Sequence, residues 1–398
     1  MDPFARFPWF VLQDILCRLP DLPSLQRLAQ ASPAVAHFCQ HDAIFSAVIE
    51  RIMAHTDKDK GMNPKVQFYF RTLALLWWRG EGEDSQNPLP SSFEEVVYFI
   101  GTTSPEGIVL ENNSFGDMSL PRSVPPAVLN RVLCLSTRLR QIAHACFHDW
   151  ISRCLSLRPE RLQNPDDEFS SERYHPRPQG VRFTPIDIGP PSWLEEQRLI
   201  RAILPCFLFW ELKRAVMAGM LSIQPSNFDL RLLERDDVEQ FWCGRASTAL
   251  PRLRTSHGTQ FHAVLSWLQQ HQILRSSELW SPKLSARYLC CCPELTPLSP
   301  KQWDLPDDPY MSFVPGYTWL WKKMTYGRSP MRTLDYNTFQ QLGFDFWDEE
   351  RMVSLGFMAS LRSNYVILDR SEAQDLWFRW SSILTEDHWA RSIKPEHG

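Results

Sequence analysis

Two imidazoles stand one helical turn apart in His144-Ala145-Cys146-Phe147-His148. That spacing puts both rings on one helix face, where a pair of histidines can chelate zinc. The hydrolytic version of the motif needs a glutamate directly after the first histidine, to activate the metal-bound water. Ala145 stands at that position. Asp149 and Cys154 follow without completing a ligand set, so the segment reads as ordinary helix. Cys290-Cys291-Cys292-Pro293 is the densest thiol run. Adjacent residues cannot easily aim their thiolates at one ion, and no second Cys/His pair lies at finger spacing. It reads as a helix end packing small hydrophobes.

The acidic groups Asp236-Asp237 and Asp348-Glu349-Glu350 fall at helix starts or on helix faces. Capping and solvation account for them better than general acid–base work. Trp77-Trp78, Trp319-x-Trp321 and Trp377-Phe378-x-Trp380 could line a peptide groove, but such aromatics read first as core. There is no GxSxG, no P-loop and no dinucleotide glycine fingerprint. The sequence therefore assigns no catalytic residue, no metal ligand and no cofactor, and points away from an enzyme.

The 398 residues carry a net charge of −4, with 43% hydrophobic and 22% charged side chains, enough to build a real core. The slightly acidic balance, with no basic block longer than Lys322-Lys323, argues against nucleic acid as the main partner. The longest tight apolar run, Ile203 to Trp210, stops at Glu211 and Lys213, so no membrane span is expected. Residues 1–6 show no leader pattern, and the 10 cysteines form no regular framework. Both point to reduced thiols and an intracellular setting, cytoplasmic or nuclear.

The elements that would position a functional surface are helical. Leu12, Ile15, Leu16 and Leu19 fall at i, i+3, i+4 and i+7, and Pro20 ends that helix. Leu22, Leu25, Leu28 and Ala29 form a second short stripe. Ser32-Pro33 pairs an N-cap with a first-turn proline and opens a third helix through Val35, Phe38 and Cys39. Asp42 can cap a fourth, where Phe45, Val48, Ile49 and Ile52 repeat the spacing. The first two helices hold more leucine than a module this small can hide, so part of the stripe is expected to face a partner.

Further on, a helix is expected from Asn63-Pro64, a polar linker over 79–92, a capping box at Ser92 and a long helix over about 126–156. Residues 158–191 hold seven prolines and read as a loop-rich insertion. Ser192-Trp193-Leu194-Glu195 is a second capping box, opening a helix of about 25 residues with a kink expected at Pro205. Helical patterns recur near 229–241, 259–274, 281–291, 348–360 and 371–384. Tyr365 to Leu368 and Val181 to Phe183 are the only short strand candidates. The fold class expected is all-α: a helical module over 1–56 packed on a larger helical domain over 57–398.

The N-terminal module resembles an F-box. Phe7-Pro8 stands where that motif has its Leu-Pro start, and Leu12, Ile15, Leu16, Leu19, Leu22, Leu25 and Leu28 match its leucine pattern. Val35-Ala36-His37-Phe38 stands where the usual motif has a Trp or Arg pair. Ala31-Ser32-Pro33-Ala34 with Ile44 to Ile52 is similar to the F-box-like N-termini of fungal proteins. Pro191 to Arg198 and Leu342 to Asp348 are similar to C-terminal stretches of the same proteins.

The resemblance implies a substrate-recognition subunit of a Skp–cullin–F-box ubiquitin ligase. The residues just named, from Phe7 and Pro8 to Leu28, would dock a Skp-type adaptor and through it a cullin scaffold. Residues 57–398 would recruit a protein substrate. Two alternatives stay open: an F-box-like scaffold that no longer binds the adaptor, and an enzyme without a recognisable motif.

Overall fold

Side-chain caps set the first helix starts. In the computed structural model, which describes residues 2–55, 61–81, 119–161, 181–220, 256–271, 273, 314–325, 334–358 and 382–384, a 3₁₀ turn at Pro3–Arg6 opens the chain. Pro8 then precedes α1 (Trp9–Cys17). Asp21 accepts the Ser24 N–H at 2.7 Å and starts α2 (Leu22–Ala31). Ser32 accepts the Val35 N–H at 3.2 Å and starts α3 (Pro33–Phe38), with proline at the first position as expected. His41, rather than Asp42, occupies the cap position of α4 (Asp42–Met53).

Seven longer or later helices follow: α5 (Pro64–Glu81), α6 (Pro126–Ser156), α7 (Trp193–Met217), α8 (Ser256–Gln270), α9 (Pro315–Thr325), α10 (Asn337–Gln340) and α11 (Glu349–Ser354). The box at the head of α7 is reciprocal. Ser192 Oγ accepts the Glu195 N–H at 3.2 Å, and Glu195 Oε2 accepts the Ser192 N–H at 2.9 Å. The 25-residue length of α7 and the place of Pro205 inside it match the sequence pattern.

The only paired strands among the described residues are β1 (Glu160–Arg161) and β2 (Val181–Arg182), antiparallel and two residues each. The fold is all-α. The expected elements near 93–100, 229–241, 281–291 and 365–368, and residues 162–180 of the insertion, lie outside the described residues, as does most of the helix expected over 371–384, whose described residues 382–384 are not α-helical. The last part of that insertion is tied down: the Phe183 N–H donates to Pro159 O at 2.7 Å and the Ile186 N–H to Ser354 O at 2.9 Å.

The chain forms two compact units. One comprises Met1–Ala143 with Glu196–Leu289, the other His144–Glu195 with Cys290–Gly398. In the first, α1 packs on α4, α2 on α3 and α4, and α3 on the 3₁₀ turn. This N-terminal module is bonded to the rest of its unit at fixed points. Arg71 clasps Glu50 through Nε–Oε1 at 3.0 Å and Nη2–Oε2 at 2.6 Å. Arg140 reaches Asp21 at 2.7 Å and Glu196 at 3.2 Å. Burial alone would pull the Arg140 guanidinium down; the two carboxylates outweigh it and hold its pKa above the ordinary value. Deeper in the same unit, buried Glu211 accepts from Trp77 Nε1 at 2.9 Å and from Arg131 at 3.1 Å. The Arg131 guanidinium lies 4.2 Å from the centre of the Trp77 ring.

The second unit is built around aromatic rings. Trp150 of α6 stacks on Phe346 with centroids 5.0 Å apart, and Phe147 meets Trp347 edge-on at 5.3 Å. Leu342 O accepts from Trp347 Nε1 at 2.8 Å and from the Cys154 thiol at 3.1 Å. Gly343 turns the chain between them at φ +69°, and a Cβ there would stand 2.5 Å from Trp347 Cζ2. Only glycine satisfies both the dihedral and the ring.

Candidate protein-docking surface

Leucine spacing alone leaves open which way a stripe faces. Of the nine residues expected to dock, Leu12, Leu16, Leu22 and Leu25 are buried, and Ile15, Leu19 and Leu28 are half-buried. The stripe is mainly the internal core of the four-helix module, closed where α1 and α2 meet α4. Each fully buried leucine contributes about 1.5–3 kcal/mol to that packing. Phe7 and Pro8, at the start of the module, are exposed.

The outward apolar surface lies at the beginning of α1. Phe7, Trp9 and Phe10 are 45%, 61% and 59% exposed, three of the six large hydrophobic side chains standing in solvent among the described residues. Trp9 and Phe10 meet edge-on with centroids 6.1 Å apart, and Phe4 meets Phe7 at 6.2 Å. Phe10 shares a helix face with Asp14 and Arg18, whose ion pair of 3.0 Å is itself solvent-exposed. The i, i+4, i+8 register of Phe10, Asp14 and Arg18 is the signal that marks Phe10 as outward-facing. Trp9 continues the inward Leu12–Leu16 line by one turn, but at the helix N-terminus that line runs past the core.

The second unit holds a buried polar cluster that joins residues about 156 positions apart in the sequence. Arg351 donates to Glu195 through Nε at 2.9 Å and Nη2 at 2.9 Å, and to the backbone oxygens of Gly189 at 3.2 Å and Pro190 at 2.8 Å. Its guanidinium lies 4.6 Å from the Phe147 ring centre. Ser192 Oγ donates to Asp348, and the Asp348 N–H donates to Glu195 at 3.1 Å. Burial pulls the Arg351 pKa down, but Glu195, with Asp348 and Asp187 behind it, holds it above the ordinary value. Asp348, expected as a solvated cap, does stand at the N-cap position of α11, but it is buried and its side chain accepts from Ser192 Oγ instead of a backbone N–H of the helix. The cluster is a hydrogen-bonded knot that fixes the head of α7 against α11.

The histidine pair sits beside this knot. The His144 and His148 rings are 6.4 Å apart. Burial pushes the His148 imidazole below its ordinary pKa, His144 and Arg351 add to that, and Asp187 opposes it. No group of three potential metal ligands converges among the described residues. Cys39, Cys154 and Cys206 are buried, and burial pushes each thiol up to about 12, far from the thiolate a nucleophile needs. Trp77, Trp78 and Trp319 are core residues. Cys290 to Cys292, Asp236-Asp237 and Trp377 to Trp380 lie outside the described residues. No helix of the described residues is long and apolar enough to cross a membrane. Set against protein-family models, curated proteins and solved structures, the chain matches none of them.

Proposed function

We propose that the chain is a non-catalytic recruiting subunit of a Skp–cullin–F-box type ubiquitin ligase, docking a Skp-type adaptor through its N-terminal module while residues 57–398 take up a protein substrate. The observation that carries this reading is the run of exposed aromatics, Phe7, Trp9 and Phe10, at the head of a compact four-helix module whose own core is already filled. A protein seldom keeps three large apolar side chains in water within four residues unless they are covered by something else. A short helix that offers aromatic anchors from one end suits a groove between a partner's helices, where apolar burial supplies the affinity. The resemblance of Phe7-Pro8 and the leucine pattern behind it to an F-box supports the choice of partner.

The docking set is Phe7, Pro8, Trp9 and Phe10, with Ile15, Leu19 and Leu28 at its margin. Titration of the purified chain with a purified fungal Skp-type adaptor tests this by calorimetry. Losing one anchor of about 1.5–3 kcal/mol should weaken the complex roughly ten- to a hundredfold, so Phe10→Asp and Trp9→Asp should each do so with helicity unchanged. A wild-type chain without measurable affinity for the adaptor would overturn the ligase reading and leave the scaffold as the better account.

A further inference from the structure

Phe7, the first of the exposed aromatics, stands just behind a 3₁₀ turn, Pro3–Arg6, that buries none of its own residues, and Pro8 after it is exposed as well. Four residues of 3₁₀ helix hold few backbone bonds; at its two ends are Ala5 N–H to Asp2 O at 3.3 Å and Phe7 N–H to Phe4 O at 3.2 Å. Something else must fix the direction in which Phe4, Phe7 and the first turn of α1 point.

Asp2 does so with both carboxylate oxygens. Oδ1 accepts the Phe4 N–H at 2.9 Å and so caps the 3₁₀ turn. Oδ2 accepts the Ser32 hydroxyl at 2.7 Å and the Ala34 N–H at 2.9 Å, at the N-terminus of α3. Ser32 Oγ in turn accepts the Val35 N–H, so one hydroxyl links the cap of α3 to the carboxylate. One side chain thus closes two helix starts, at Pro3 and Pro33, that are thirty residues apart. The Ala34 amide and the Ser32 hydroxyl keep this carboxyl below its ordinary pKa.

We infer that Asp2 is the positioning residue of the docking surface: its carboxylate latches the 3₁₀ turn to α3 and so presents Phe7, Trp9 and Phe10 in a preformed arrangement. Preformed anchors cost less ordering on binding than a loose arm does. The inference rests on the docking reading above for its consequence, but the latch itself is tested without any partner.

The test uses the full chain in four forms: wild type, Asp2→Ala, Asp2→Asn and Ser32→Ala. Hydrogen exchange followed by mass spectrometry reads residues 3–8 and 33–38 against the core helix α4. Asp2→Ala should speed exchange at both N-terminal stretches about fivefold, the size of a lost cap, while α4 keeps its protection. Asp2→Asn keeps one oxygen acceptor and should fall between. Ser32→Ala should loosen 33–38 more than 3–8, since the Phe4 and Ala34 amides still have the carboxylate. Adaptor affinity, measured in parallel, should drop by about the same fivefold in Asp2→Ala and recover in part in Asp2→Asn, with the thermal midpoint unmoved. Wild-type exchange at 3–8 in Asp2→Ala overturns the latch. Faster exchange with unchanged adaptor affinity overturns its positioning role. A wild-type chain that binds no adaptor overturns the docking reading alone, and the exchange result still judges the latch.

Discussion

Arg351 and Glu195, 156 residues apart in the chain, form a two-point ion pair in which each side chain is 1% exposed. Such a pair is stable only while complete, because either partner alone would be a buried, uncompensated charge. Arg351→Met should lower the unfolding free energy by about 3–5 kcal/mol. Adding Glu195→Gln, which is neutral and keeps an acceptor for the Ser192 N–H, should restore part of the loss. Urea denaturation of the single and double variants measures both, and equal midpoints for the wild type and Arg351→Met would refute the assignment.

A second expectation separates backbone strain from steric conflict. Gly343 and Gly219 have nearly the same dihedral, φ +69° and +70°, but a Cβ at Gly219 meets nothing within 4 Å. Gly219→Ala should cost about 1 kcal/mol from the dihedral alone. Gly343→Ala should cost more, since the Trp347 ring must also move. Comparable thermal shifts for the two variants would show that the ring yields freely.

Core and surface roles within the N-terminal module should separate cleanly. Leu16→Ala and Leu25→Ala remove fully buried side chains and should each cost about 2–5 kcal/mol. Leu12→Asp and Leu25→Asp should unfold the module, so neither can report on docking. Phe10→Asp, on the exposed face, should change stability by no more than about 0.5 kcal/mol. Circular dichroism melts of this set decide whether the stripe is core; a Leu25→Asp variant that melts like wild type would contradict it.

Thiol chemistry supplies a pH prediction. Cys134 is exposed, whereas Cys39, Cys154 and Cys206 are buried with pKa values near 12. Brief iodoacetamide treatment of the native chain should label Cys134 well before those three, read by peptide mass spectrometry. The sign for stability follows. Below about 8.5, the value of an unfolded thiol, both states keep the proton and nothing is lost. Between there and 12 only the unfolded chain releases it, so stability should fall as pH rises through that window. Rising stability over the same window would contradict the burial of these thiols.

Local signals in the sequence carried far. Ser32-Pro33, Asp21 and the Ser192/Glu195 box mark helix starts because a cap bonds within three residues and needs no tertiary context. The apolar periodicity of α1 and α4 likewise identifies helices. What stayed hidden is whatever depends on a distant partner. The leucine stripe says that one face is apolar, but α4 decides that this face is filled from within. The acidic run at Asp348 reads as solvated until Arg351 and Ser192 are brought beside it. Phe10 looks like one more core aromatic unless its register with Asp14 and Arg18 is followed to the solvent side.

The contact between Gly343 and Trp347 also constrains the order in which the two positions can change over generations. A side chain at 343 has no room while the indole is in place. A smaller residue at 347 removes the nearest obstacle and leaves Trp150 Cβ at 3.1 Å, though it also leaves the Leu342 carbonyl with one donor fewer. Replacement at 347 must therefore come first, and asparagine, tolerant of the left-handed region, is the substitution at 343 that could follow. Taken in the reverse order the same two changes pass through a clash. Lineages should therefore exchange the pair in one direction only.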